Sequence, residues 1–230
     1  MNLVAENEIK APESSIARRR SLANPSALGY GGFAATLMTL SLSGMGFRSI
    51  SNQSVFVANL CFLAGVGLLV SAQWEMVRGN TFDYTVLGAF ALYYGGYGVL
   101  LLPSSGVLES YQGQTADYHN AFGIYLLVWS ILNLFFFIAS LPTGAPNIVV
   151  YGALELSYIF NCIGHFVRAD GNILTSMKLM KVGGAFGFVS SLAGFYMLGH
   201  ELCRDVLPFR FPVYNTSRLA SVVKSSEHSN

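Results

Sequence analysis

The chain reads as an all-α membrane protein, six transmembrane helices in one bundle per subunit. Two observations predict this. Apolar residues make up 53% of the chain and charged residues only 11%, against about 25% charged in an ordinary soluble domain. Apolar runs of roughly 20 residues, long enough to cross a bilayer core as helices, also recur along the chain with short polar linkers between them. These runs are Ala27–Phe47, Val55–Val77, Tyr84–Leu102, His119–Leu141, Asn147–Val167 and Met180–His200. Linkers this short make antiparallel neighbours.

The first run begins at a sharp step, Ala23-Asn24-Pro25-Ser26-Ala27-Leu28-Gly29. Asn favours the helix cap, and Pro suits the first helical position, where its missing N–H costs nothing. The step leaves free N–H groups at a helix N-terminus, which is a natural anion site. Small residues recur every fourth position along this run (Ala27, Gly31, Ala35, Thr39, Ser43), and again in the sixth (Gly183, Gly187, Ser191). Such faces let helices approach closely in lipid.

Glu75, Arg78 and Asp83 flank the second linker and read as a solvated cytoplasmic turn, and Trp74 as an interfacial anchor or a core residue. The third linker carries Glu109 and Asp117 without Lys or Arg. In the fifth run, Glu155 is a carboxylate well inside an apolar segment, where an ionisable group faces a cavity or a partner. Glu155, Tyr158, Cys162 and His165 follow i, i+3, i+7, i+10 and share one helix face. That face is either a wall of a wet path or a buried hydrogen-bond seam. Asn59, Asn133 and Asn161 read as interhelical glue, and Trp129 as an anchor or a core residue.

Residues 1–23 and 203–230 read as cytoplasmic tails around a transmembrane domain spanning 24–202. Lys10, Arg18, Arg19, Arg20, Arg204, Arg210, Arg218 and Lys224 lie in the tails. Arg78 shares their side, which makes that side cytoplasmic under the positive-inside rule. No cleavable signal peptide is expected, because the segment before Asn24 has no apolar core. Net charge is +1, so nucleic acid is not an expected partner. Cys61, Cys162 and Cys203 show no disulfide or metal spacing. No catalytic constellation, metal-ligand set or cofactor loop is present in the pattern, and an enzyme is excluded on that ground.

Four motifs in order resemble the acetate uptake transporter family, which includes the bacterial succinate–acetate permease and fungal acetate permeases. They are Asn24-Pro25-Ser26-Ala27-Leu28-Gly29-Tyr30, Gly79-Asn80-Thr81-Phe82, Gly123-Ile124-Tyr125-Leu126-Leu127-Val128-Trp129 and Ile163-Gly164-His165-Phe166. The resemblance implies a homo-hexamer of six-helix subunits in the plasma membrane, each with its own path for acetate or related small monocarboxylates, coupled to protons. It implies a path constriction at Phe33, Phe90 and Leu154, and a signature motif or binding element at Asn24, Pro25, Leu28 and Gly29. Glu155, beside Leu154, becomes a candidate proton carrier. Read without the resemblance, Phe33, Phe90 and Leu154 are ordinary packing residues.

Three positions depart from the family pattern: Ala27 replaces a Pro, Phe90 a Tyr and Leu68 a Gln. All make the path less polar and leave room for a longer or more apolar monocarboxylate. The competing readings are a non-transporting sensor or assembly subunit on the same scaffold, and ammonium-linked transport.

Overall fold

In the computed structural model, residues 23–50, 52–204, 208, 211 and 212 are described. The expectations for residues 1–22, and for most of the C-terminal tail, lie outside them. Helices account for all the regular structure among the described residues. α1 spans Ser26–Gly44. α2 runs Ser54–Val77, opening with a 3₁₀ turn and passing through a π-helical stretch at Asn59–Val66. α3 spans Thr81–Leu101, α4 is the short Val107–Ser110, α5 spans Ala116–Ser140, α6 Ala145–Ala169 and α7 Ile173–Cys203.

Five of these helices, α2, α3, α5, α6 and α7, are long and apolar enough to cross a membrane. α1 is 19 residues long, but Gly and Ser dilute its apolar content. Much of α1 is buried inside the bundle instead.

Two helix junctions use the same local chemistry. Gly79 (φ 77°) and Gly171 (φ 85°) adopt the left-handed conformation, which costs glycine little. Each ends a helix with a six-to-one backbone bond: Asn80 N–H to Glu75 O, 3.0 Å, and Asn172 N–H to Val167 O, 3.1 Å. The following Asn then caps the next helix, accepting from Asp83 N–H at 3.3 Å and from Thr175 N–H at 3.1 Å. The second junction starts α7 at Ile173, seven residues before the expected Met180. Thr115 caps α5 in the same way, through Tyr118 N–H, so α5 begins at Ala116 rather than His119.

Close backbone contacts join α1 to α2, α2 to α3, α5 to α6, α6 to α7 and α7 back to α1. Missing side chains create these contacts. A Cβ at Gly184 would lie 3.0 Å from Ser41 O, and one at Gly187 would lie 2.5 Å from Ser41 Oγ. The small face of α7 therefore packs as expected. On α1 the buried face is Gly29, Gly32, Phe33, Ala34, Leu37 and Ser41, whereas Ala27, Gly31, Ala35 and Thr39 are half-buried. Of the four-residue stripe, Ser43 is buried and Gly31 faces Leu198 of α7, so the stripe lies only partly along the α1–α7 contact.

α3 and α5 are joined differently. Large rings bridge them: Tyr93 to Trp129 at 4.8 Å, Tyr93 to Tyr125 at 5.9 Å, Phe90 to Phe136 at 5.8 Å and Tyr97 to Phe122 at 6.0 Å. Trp129 is thus a seam residue, while Trp74 is exposed. The bundle is closed on one side by ring contacts, and those rings wall its interior.

Candidate substrate path

A cavity of about 140 Å³ opens into the bundle at the end where α1, α3 and α6 stop and α2, α5 and α7 start. One water needs about 10–15 Å³ of such space, so the cavity holds several waters or one small solute. Ser41, Gln53, Tyr93, Tyr97, Ser157, Tyr158, Asn161 and His165 supply polar wall, and among the described residues no carboxylate lines it. Leu37, Tyr94 and Leu154 also line it.

Leu154 links this cavity to the packed centre. Phe33, Phe90, Tyr94 and Leu154 belong to one buried cluster, at 4%, 1%, 2% and 4% exposure. The Phe33 and Phe90 rings meet at 5.4 Å with a 47° tilt, and Phe90 also packs on Phe136. Gly194 seats Phe33: a Cβ there would come within 3.2 Å of its ring. The residues expected to form a constriction thus come together from α1, α3 and α6. Tyr94, one helical turn beyond Phe90, shares that cluster and touches both Phe rings. The sequence reading did not single it out, although the run Tyr93-Tyr94-Gly95-Gly96-Tyr97 was a visible signal. Leu68, fully buried, packs against Gly32.

Glu155 sits to one side of the cavity lining. Ser130 Oγ–H donates to its Oε1 at 2.5 Å and Asn133 Nδ2 to its Oε2 at 2.8 Å. Both donors are on α5 and both are buried. The shared face of α6 therefore splits. Tyr158 and His165 line the cavity, Glu155 ties α6 to α5, and Cys162 Sγ–H donates to Gly123 O at 3.3 Å.

The start of α1 is engaged within the chain. Ser26 N–H and Oγ–H lie 3.2 and 2.9 Å from Asn24 Oδ1, and Ser71 Oγ–H donates to Pro25 O at 2.7 Å. Ser26 Oγ also lies 2.6 Å from Glu75 Oε1. Asn24 Nδ2 donates to Glu201, and Arg78 donates to both Asn24 Oδ1 (2.7 Å) and Glu75 Oε1 (3.1 Å). Asn80 Nδ2 bridges Glu75 and Asp83 at 3.0 and 2.7 Å. Glu75 is fully buried, which corrects its reading as part of a solvated turn. The helix cap departs by one residue: α1 begins at Ser26, with Pro25 just before it. Gly29 is a close-approach site, where a Cβ would lie 2.7 Å from Leu87 and Ser71. Asn24, Pro25 and Leu28 line a separate recess of about 290 Å³ with Trp74 and Arg78, to which Phe33, Phe90 and Leu154 do not contribute.

At the cavity end, His119 Nδ1 and His165 Nδ1 are 3.1 Å apart, and Arg168 Nε–H donates to His119 Nε2 at 3.2 Å. His119 is buried, and the His165 ring lies on Phe122 at 4.6 Å. The sequence placed His165 on the Glu155 face of its helix but gave no sign of His119, 46 residues away, since no local spacing pairs them. Among the described residues, no group of three or more His, Cys, Asp or Glu side chains is placed to hold a metal.

Apolar spanning helices around a polar, acid-free cavity define a membrane protein of the transporter or channel class. The chain belongs to the GPR1/FUN34/yaaH family, whose model matches residues 8–215. It is 40% identical over 200 residues to the acetate transporter protein patA of Penicillium expansum, covering 87% of this chain and 80% of that one. It is 28% identical over 181 residues to acetate permease A of Emericella nidulans, covering 77% and 60%. The fold matches the bacterial acetate channel SatP with a TM-score of 0.69 at 24% identity, over 82% of this chain and 99% of that one. These names describe transporters and a channel, not enzymes.

Proposed function

We propose that the chain is a membrane permease or channel for acetate and related small monocarboxylates. The observation that carries this reading is the cavity itself: polar, free of carboxylates, and ending on Leu154 beside the Phe33–Phe90 pair. Phe33, Phe90 and Leu154 form its hydrophobic constriction. Such a neck gates by dewetting and holds back hydrated ions. The methyl end of acetate tolerates the apolar rings, and protonation removes the carboxylate charge before they are crossed. Glu155 is the proton carrier in this reading, supported by its depth in α6 and by its position next to Leu154.

The unit is six spans, with α1 as the sixth, both termini cytoplasmic, assembled as a homo-hexamer in the plasma membrane. Asn24, Pro25, Leu28 and Gly29 then mark the cytoplasmic end of the path, and the cavity opens outward. The similarity to relatives named as acetate transporters supports the substrate class. Purified protein in liposomes takes up labelled acetate, faster at acid outside pH. Flux no greater than in empty liposomes, for acetate and every C1–C6 carboxylate, would falsify it.

A second reading, a non-transporting sensor or assembly subunit, draws on one observation. The neck is closed, with Phe33, Phe90 and Leu154 all nearly inaccessible. The same flux assay separates the two.

A further inference from the structure

We infer that the mouth of the cavity holds a carboxylate-docking site whose donor is the Nε2–H of His165, held in place by Arg168 acting through His119. This rests on the transport reading of the same cavity. The hydrogen-bond chemistry of the three side chains dictates the donor. Arg Nε carries a hydrogen and can only donate. At 3.2 Å from it, His119 Nε2 must accept, so it bears no proton. A neutral imidazole carries one N–H, and on His119 that N–H is therefore at Nδ1. Its neighbour at 3.1 Å, His165 Nδ1, must then be the acceptor. The N–H of His165 is consequently at Nε2, on the ring edge away from His119.

His165 lines the cavity, and its Nε2 has no hydrogen-bond partner among the described residues. Phe122 fixes the ring plane from one face. The result is a donor oriented through the Arg168–His119 chain, in a cavity with no carboxylate among the described residues of its wall to compete. A small anion with two acceptor oxygens and a short apolar body fits it. The carboxylate accepts from His165, and the methyl group faces the rings of Phe122 and Tyr97, which also line the cavity. Arg168 and His119 are positioning residues: they set the tautomer and do not themselves need to touch the solute.

The test reads the ring directly. The full-length protein is labelled with ¹⁵N-histidine and solubilised in detergent, and the His165 resonances are assigned by loss in His165→Gln. The expected spectrum shows His165 protonated at Nε2 and bare at Nδ1. Adding acetate shifts the Nε2–H resonance, and the neutral isostere acetamide at equal concentration shifts it far less. Arg168→Leu frees His119 and gives His165 a mixture of tautomers.

In liposomes, His165→Phe raises the KM for acetate tenfold to a hundredfold, the range for one hydrogen bond to a charged group. His165→Gln, which retains a donor, stays closer to wild type. A His165 protonated at Nδ1, an Nε2–H blind to acetate, or an unchanged KM in His165→Phe overturns the docking site. Assignment by loss works with either His165→Gln or His165→Phe, so one poorly folding variant leaves the test intact. An absence of any flux in wild type counts against the transport reading, while the NMR titration still decides the docking site.

Discussion

The two ends of the bundle are both polar, but they are built for opposite tasks. Around the start of α1, three carboxylates (Glu75, Asp83 and Glu201) converge on Asn24, Ser26, Asn80 and Arg78. Donors and acceptors there are spent on one another. Around the end of α6, Arg168, His119 and His165 form a chain whose last donor faces open volume. The first cluster ties four helices together, and the second leaves one group unspent for a solute. A polar cluster in a membrane protein is thus a clasp or a binding site according to whether its hydrogen bonds close on themselves.

The largest expected effect breaks the clasp. Glu75→Leu removes the acceptor shared by Ser26, Asn80 and Arg78 and leaves each with its remaining partner alone, at about 1 kcal/mol for each hydrogen bond lost. Thermal unfolding in detergent should show a clear drop in Tm. An unchanged midpoint would mean that α1 is held by packing alone.

Next comes the neck between the two ends. Phe33→Ala or Phe90→Ala removes the 5.4 Å ring contact and should admit larger monocarboxylates, raising hexanoate flux severalfold relative to acetate. An unaltered size limit in both variants would remove the constriction assignment.

A smaller effect is expected at Glu155, bonded to Ser130 and Asn133. If it carries protons, Glu155→Gln flattens the pH dependence of uptake while the protein stays folded. The sign is that uptake loses its advantage at acid outside pH. A wild-type pH profile would return Glu155 to the α5–α6 seam as a tie. The smallest effect belongs to Asp83→Asn, which keeps a side chain able to meet Asn80 and should cost about 1 kcal/mol or less. A large loss there would show that the carboxylate charge, and not the hydrogen bond alone, holds the clasp.

Much of this layout was legible before any coordinates. Apolar run lengths placed the helices, because a bilayer core demands about 20 helical residues. The Gly79-Asn80 turn was legible through the family resemblance, whereas Gly171-Asn172 was not, although glycine again supplies the left-handed turn and asparagine the cap. Other features were not. Glu75 read as a solvated turn residue because its partners, Ser26 and Asn80, come from different helices. The small-residue stripe of α1 named no partner, and it only partly follows the α7 contact because four-residue spacing slips around a 3.6-residue helix. His119 carried no signal at all, for its meaning lies in His165 and Arg168, which α6 brings alongside.

By itself, the sequence determined the class of solvent, the order of the apolar segments, and most helix ends to within a few residues, the start of α7 excepted. These depend on transfer energies and on chemistry within a few residues. Tertiary structure alone decided which polar groups spend their hydrogen bonds on each other. It also decided that Phe33 and Phe90 meet, that Leu154 shares their buried cluster, and that Leu154 lines the cavity. The reason is physical. A hydrogen bond or a ring contact between helices requires a few ångströms of approach, and chain spacing does not encode that distance until the bundle closes.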